Sequence, residues 1–250
     1  MSKKVNKRKN VFQIYGINNC LPILNSSNYN IVDIFLSDDS NTDVKKIFSH
    51  KKYREKIHYL NRNNFNDKFG DYRTQGIVVT FTGNLIKNIQ ESKFDKQNSC
   101  LLILDQIEDP QNAGQIIRTS ECAGIDGIIF PLHNSFKISN TVLNVSQGAF
   151  VNIPLYEVTN ISRTIQDLKK MDFWVVGIEN GLDSKLWDEV DYSGRIVIIV
   201  GSEGKGIRKK VLDHCDFSAS IPMQGSINSL NVSAAVSAIL FERLRQIKYL

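Results

Sequence analysis

From Cys100 onward, short apolar runs alternate with stretches of helical character, and this alternation restricts the fold more than any other feature of the chain. Strand-like runs fall at Leu101–Ile107, Gly127–Phe130, Ile153–Val158, Phe173–Ile178, Arg195–Gly201 and Phe217–Ile221. Helix-like stretches lie between them at Gly114–Ala123, Ser139–Ala149, Ile161–Lys170 and Ile207–Asp213, and a last one spans Leu230–Lys248. Ile196–Val200 is apolar at every position, so the sheet it enters is covered on both faces. Strands joined through helices run parallel, because parallel neighbours need a long crossover connection. The expected fold class is α/β, with a parallel sheet over residues 100–250.

The front of the chain follows another rhythm. Residues 11–81 combine a helix-like stretch at Gly16–Leu24 with strands at Ile31–Leu36 and Gly76–Phe81, and a Lys-rich segment at Lys45–Lys56. This predicts a separate small α/β module. Residues 82–99 are polar and weakly periodic, which predicts a linker. Charge divides along the same line. Lys3, Lys4, Lys7, Arg8 and Lys9 account for the whole net charge of +5, and residues 1–10 read as a disordered basic tail. A positive front joined to a nearly neutral body places capture of a polyanion at the front.

Several classes are disfavoured. No run approaches the roughly 20 apolar residues of a membrane-spanning helix, and no signal-type apolar segment follows the basic N-terminus. The expectation is a cytoplasmic protein without membrane contact. Cys20, Cys100, Cys122 and Cys215, and the four histidines, lack metal-ligand spacing; only His214 and Cys215 are adjacent. No metal is expected.

Ligands of open parallel sheets bind where strands end and helices begin, and three such junctions are unusual here. After the first strand, Asp109-Pro110 breaks the chain, Asn112 is placed to cap the next helix, and Arg118 follows within two turns. Taken alone, this segment is better explained by a cap and a surface arginine. After the fifth strand comes Gly201-Ser202-Glu203-Gly204-Lys205-Gly206. Three glycines in six residues permit a sharp turn and close backbone approach to a ligand. It is neither a P-loop nor GxGxxG, which also disfavours a Rossmann-type oxidoreductase. Glu203 repels phosphate and would accept a cation or a hydroxyl donor. Before the last helix, Ile221–Val232 mixes Pro, Gly, Met and small polar groups, a composition suited to an adenine slot with an apolar wall. Ser229 and Asn231 could equally be capping residues.

Together, in this order, the three segments resemble the SpoU/TrmH family of SPOUT RNA methyltransferases. Asn112, Gly114 and Arg118 match its N-x-G-x-x-x-R element. Gly201, Glu203, Gly204 and Gly206 match G-x-E-G-x-G, and Ile221–Val232 matches I-P-M-x-G-x-x-x-S-L-N-V in full. Ser146-Gln147-Gly148-Ala149 fits the family's small-residue helix. Thr159-Asn160, Ile178–Leu186 and Ile221–Val232 look most like the branch that makes 2′-O-methylguanosine in large-subunit ribosomal RNA.

The resemblance implies a SPOUT-type sheet with a C-terminal trefoil knot, preceded by a ribosomal-protein-like RNA-binding domain at 11–81. It implies S-adenosyl-L-methionine as cofactor, RNA as partner and assembly as a homodimer. Gly201, Ile221, Met223 and Leu230 would hold the cofactor; Asn112, Arg118, Glu203, Ser229 and Asn231 would form the reaction site. Arg118 would stabilise charge growing on the ribose oxygen, and the proton acceptor is Glu203 or water. In one departure, Thr74-Gln75-Gly76 stands where the family often reads His-Gln-Gly. A transfer-RNA methyltransferase and a non-catalytic RNA-binding or ribosome-assembly protein on the same scaffold are the alternatives.

Overall fold

The computed structural model describes residues 10–40, 51–70, 72–181 and 184–248. Most of the basic tail and the Lys45–His50 part of the Lys-rich segment lie outside these. The chain divides into two compact units, 1–84 and 85–250.

The first unit is built on a four-stranded mixed sheet. Its strands are β1 (Phe12–Tyr15), β2 (Asn30–Ser37), β3 (Ile57–Leu60) and β4 (Ile77–Thr82), in the order β1-β4-β2-β3. Only β2 and β3 run parallel. Helix α1 (Ile17–Asn25) buries Cys20, Ile23 and Leu24, and α2 (Arg62–Phe69) sends Phe65 and Phe69 onto Val78. β1, β3 and α2 were not anticipated. The two strands are only four residues long, and α2 shows just two apolar positions in an Asn-rich run, so local periodicity is faint. In the Thr74-Gln75-Gly76 turn, Gln75 and Gly76 have φ of 53° and 78°. Thr74 is buried, and its hydroxyl accepts the Gly76 N–H at 3.3 Å. The side chain at this departure thus closes the turn.

The second unit holds an all-parallel seven-stranded sheet. Its strands are β5 (Cys100–Asp105), β6 (Gly127–Pro131), β7 (Leu155–Val158), β8 (Trp174–Ile178), β9 (Lys185–Leu186), β10 (Ile196–Gly201) and β11 (Phe217–Ser220). The order is β7-β6-β5-β10-β8-β11-β9. The helices are α3 (Pro110–Cys122), α4 (Asn140–Val145), α5 (Ile161–Lys169), α6 (Lys209–Leu212) and α7 (Val232–Lys248). All six residues of β5 are buried, as are the first five of β10, which is why both read as unbroken apolar runs. α5 follows directly from its sequence. Asn160 accepts the Arg163 N–H, and Ile161, Ile165 and Leu168 form one buried stripe.

Three expectations need correction. Asp109, not Asn112, caps α3: its carboxylate accepts the N–H groups of Gln111 and Asn112, and Pro110 takes the first turn, where no N–H is needed. The stretch Ser139–Ala149 is not one helix. α4 stops at Val145, and Gln147 and Gly148 turn out at φ of 51° and 85° before a 3-10 turn at Ala149–Val151. Of the stretch 82–99, Thr82 ends β4 and the part beyond Asn84 packs on the second unit. There Ile86 bridges to Leu155, Ser92 donates to the Tyr156 hydroxyl at 2.9 Å, and Phe94 meets Phe173 edge-on at 5.6 Å.

Sheet order positions the site. The chain builds β5, β6 and β7 outward in one direction, then crosses to β8, and β10 returns to fill the slot between β5 and β8. Gly201 pairs with Asp105, Val200 with Ile178 and Ala219 with Ile178. The loops leaving β5, β8, β10 and β11 therefore emerge side by side, at the crevice where such sheets bind ligands.

Candidate functional site

The loop after β10 folds back on its own start. Gly206 N–H donates to the Ser202 carbonyl at 2.9 Å, and a Cβ at Gly201 would overlap the backbone of Gly206 and Ile207. Gly201 thus serves the fold of the loop, and a side chain there would open it. The loop is fixed to β5 by Asp105, which is fully buried. Its carboxylate accepts the Arg208 backbone N–H at 2.9 Å and takes the guanidinium through Nε at 2.9 Å and Nη2 at 2.6 Å. Sequence reading passed over this pair, since its members lie 103 positions apart.

Three side chains from three of the expected segments meet above it. Asn231 Nδ2 donates to Glu203 Oε1 at 2.8 Å and to Asn112 Oδ1 at 2.9 Å; Asn112 Nδ2 reaches Glu203 Oε1 at 3.3 Å. The backbone N–H of Val232 points to the same oxygen at 3.4 Å. Asn231 also caps α7, its Oδ1 accepting the Ser233 N–H at 2.9 Å. Capping and site-building are thus done by opposite ends of one amide. Ser233, which was not anticipated, donates to Asn231 Oδ1 at 2.6 Å and lies 2.8 Å from Gln115 Oε1, tying α7 to α3. No cation pairs with Glu203 among the described residues, and its Oε2 accepts no hydrogen bond there.

Two cavities adjoin this cluster. The first, of about 300 Å³, is lined by Gly201, Ile221, Met223 and Leu230, all four expected cofactor residues, and by Ser229 and Glu203. The second, of about 250 Å³, is lined by Asn112, Gln106 and Lys205 among others. Ser202, Glu203 and Val232 border both. Their shared wall includes Ser202, whose buried hydroxyl has no partner among the described residues. Gln106, at the mouth of β5, holds a φ of 62°, a backbone strain that side chains rarely accept. The first cavity also has Glu179 and Asn180, which follow β8; they fall in the Ile178–Leu186 stretch that carries the family resemblance, but no role was expected of either. Apolar Ile178, Val200 and Ile221 beside carboxylates suit a ligand that is part heterocycle and part cation.

Arg118 stands apart. It is exposed on α3, has no hydrogen-bond or ion-pair partner among the described residues, and borders neither cavity. Six residues at about 100° each carry it roughly two-thirds of a turn away from Asn112. Gly114, between them, is accounted for by packing, because a Cβ there would press into Val145 of α4.

Cys20 and Cys100 are buried and Cys215 is half-buried. Burial pushes the Cys100 and Cys215 thiols up to about 12, and that of Cys20 higher still. Among the described residues no group of three or more His, Cys, Asp or Glu could hold a metal, and no helix is long and apolar enough to cross a membrane.

Adjoining cavities that share Ser202, Glu203 and Val232 at the switch point of a parallel sheet give this α/β protein room for two ligands side by side, as group transfer requires. Residues 99–241 match the model of the SpoU rRNA methylase family, and the chain belongs to that family. It is 35% identical over 240 residues to the 23S rRNA (guanosine-2′-O-)-methyltransferase RlmB of Shewanella oneidensis, covering 93% of this chain and 96% of that protein. It is 39% identical over 184 residues to RlmB of Pseudomonas aeruginosa, covering 72% of this chain and 74% of that one. Among solved structures, the SpoU methyltransferase AviRb of Streptomyces viridochromogenes with AdoMet superposes with a TM-score of 0.80 at 17% identity, over 96% of this chain and 91% of the other. That likeness shows the fold.

Proposed function

We propose that this chain transfers a methyl group from S-adenosylmethionine to the ribose 2′-hydroxyl of a guanosine in large-subunit ribosomal RNA. As a member of its family it is an RNA methyltransferase that uses S-adenosylmethionine. The observation that carries the assignment of the site is the Asn112–Glu203–Asn231 cluster, whose Glu203 borders both cavities. The first cavity is read as the cofactor pocket and the second as the entry for the acceptor ribose. Alignment with the ribosomal-RNA enzyme over 93% of this chain, which takes in the first unit, supports ribosomal over transfer RNA.

When bound, the cofactor supplies a methyl group already activated by its positive sulfur. The chain then has to align the acceptor oxygen and receive its proton. Asn112 and Asn231 hold Glu203 through Oε1, which leaves Oε2 as the oxygen that takes the proton. Ser229, on the rim of the first cavity, positions the acceptor. Arg118 completes the site from the partner in a homodimer, where its guanidinium fork meets the target phosphate and the developing oxyanion. The exposed apolar side chains Ile227, Leu230 and Phe241 support a surface covered by a second copy. The C-terminal knot and a cytoplasmic location belong to the same reading.

Mapping 2′-O-methyl groups across cellular RNA with and without the gene should show one ribosomal guanosine losing its mark. The same RNA made with a 2′-deoxy nucleotide at that position should bind and accept no methyl group. Methylation of the deoxy substrate would overturn the reading, as would an unchanged map. Residues 1–10 and the Lys-rich stretch are assigned to the RNA backbone. Deleting 1–10, with its five cations, should weaken RNA binding and make log Kd against log salt shallower by up to about 4. An equal slope would show that the tail makes no phosphate contact.

A further inference from the structure

The first cavity carries more negative charge than an adenosine pocket needs. Glu179, directly after β8, is half-buried. Its Oε2 accepts the Ile207 N–H at 2.8 Å, and its carboxylate lies against Gly206, where any Cβ would collide with it. Glu203, on the glycine loop, lines the same cavity. No Lys, Arg or His borders that cavity, and neither carboxylate has an ion-pair partner among the described residues. Lys205 of the glycine loop borders the second cavity and not this one, and Arg208, just beyond the loop, is spent on Asp105.

Two carboxylates at one pocket repel each other, and hydrogen bonds from neutral amides do not cancel their charge. A ligand that brings a cation relieves this; a neutral one of the same shape does not. The two forms of the proposed cofactor differ in that respect. S-adenosylmethionine bears a positive sulfur, whereas S-adenosylhomocysteine, left once the methyl has gone, has an uncharged thioether and is otherwise alike.

We infer that Glu179 acts with Glu203 as a reader of cofactor charge, so that the pocket retains the methyl donor and releases the spent thioether. The inference rests on reading the first cavity as the cofactor site. Glu179 is a specificity-determining residue here and borders the first cavity alone, whereas Glu203 borders both cavities and also belongs to the cluster assigned to the acceptor. Loop support alone would also explain a carboxylate against Gly206, but it would make no distinction between the two ligands.

The test is calorimetric titration of the full-length protein, without RNA, using S-adenosylmethionine, S-adenosylhomocysteine and sinefungin, which carries an amine in place of the sulfonium methyl. Glu179→Gln keeps the side-chain length and an oxygen to accept the Ile207 N–H. It should weaken S-adenosylmethionine and sinefungin by roughly three- to tenfold while changing S-adenosylhomocysteine by less than about twofold. Unchanged thioether binding also shows that the pocket is still folded. Equal losses for all three ligands would make Glu179 a support of the glycine loop and overturn the inference, and so would no loss for any. If the unaltered protein bound none of the three, the cofactor pocket itself would be misassigned, and the functional reading would fall with it.

Discussion

Replacing Arg118 with alanine should lower turnover by about 10³-fold or more while leaving S-adenosylmethionine affinity within roughly twofold. The side chain is exposed and unpaired among the described residues, and borders neither cavity, so its loss should cost little stability and leave the cofactor pocket intact. Arg118→Lys should recover little, because a point charge cannot reproduce a planar fork on phosphate and oxyanion. An arginine that borders neither cavity of its own chain should act across a dimer interface, and this can be tested separately. Arg118→Ala and Glu203→Gln, each inactive alone, should restore about a quarter of wild-type activity when co-expressed, since half the dimers are mixed and each mixed dimer has one complete site. Failure to restore activity in verified mixed dimers would place Arg118 in its own subunit's chemistry or outside the site. Near-normal turnover of Arg118→Ala would remove it from the mechanism.

Breaking the Asp105–Arg208 pair from the arginine side should be the most destabilising single change at the site. Arg208→Met leaves a fully buried carboxylate with only the backbone N–H of residue 208, at a cost of about 3–5 kcal/mol. Arg208 itself is 43% exposed along its side chain, so in Asp105→Asn the freed guanidinium can turn to water and the loss should be smaller. The double change Asp105→Leu with Arg208→Met should recover part of the loss, because no charge is then left stranded. Urea unfolding of all three variants checks the order. A double variant weaker than Arg208→Met would show that the pair does more than neutralise buried charge. Since this pair fixes the loop that carries Glu203, cofactor binding should fall with it in Arg208→Met.

The larger unit's fold was legible because its strands are buried on both faces and its helices are amphipathic, so each element announces itself within a few residues. Ile196–Val200 and the Ile161, Ile165, Leu168 stripe needed no tertiary information. Elements with few apolar positions were missed, among them the two-residue β9 and the Asn-rich α2. Errors also came where two local signals compete. Asn112 has capping chemistry, but Asp109-Pro110 starts the helix three residues earlier, and Gly148 ends a helix that composition alone would continue.

For the site, the three motif segments could be read from the chain, because loops at strand ends need glycine and small polar residues whatever their neighbours; Gly201, Ile221, Met223 and Leu230 came from the family resemblance, and all four line the first cavity. Their convergence could not. Asn112 and Asn231 lie 119 positions apart and are joined by one hydrogen bond, made possible only because β10 inserts between β5 and β8. The roles of Asp105, Glu179 and Ser233 likewise arise from which loop lies against which. Residue type and spacing settle what a segment can form locally through backbone sterics and burial. Sheet order, a global balance of packing, decides which distant side chains share one wall.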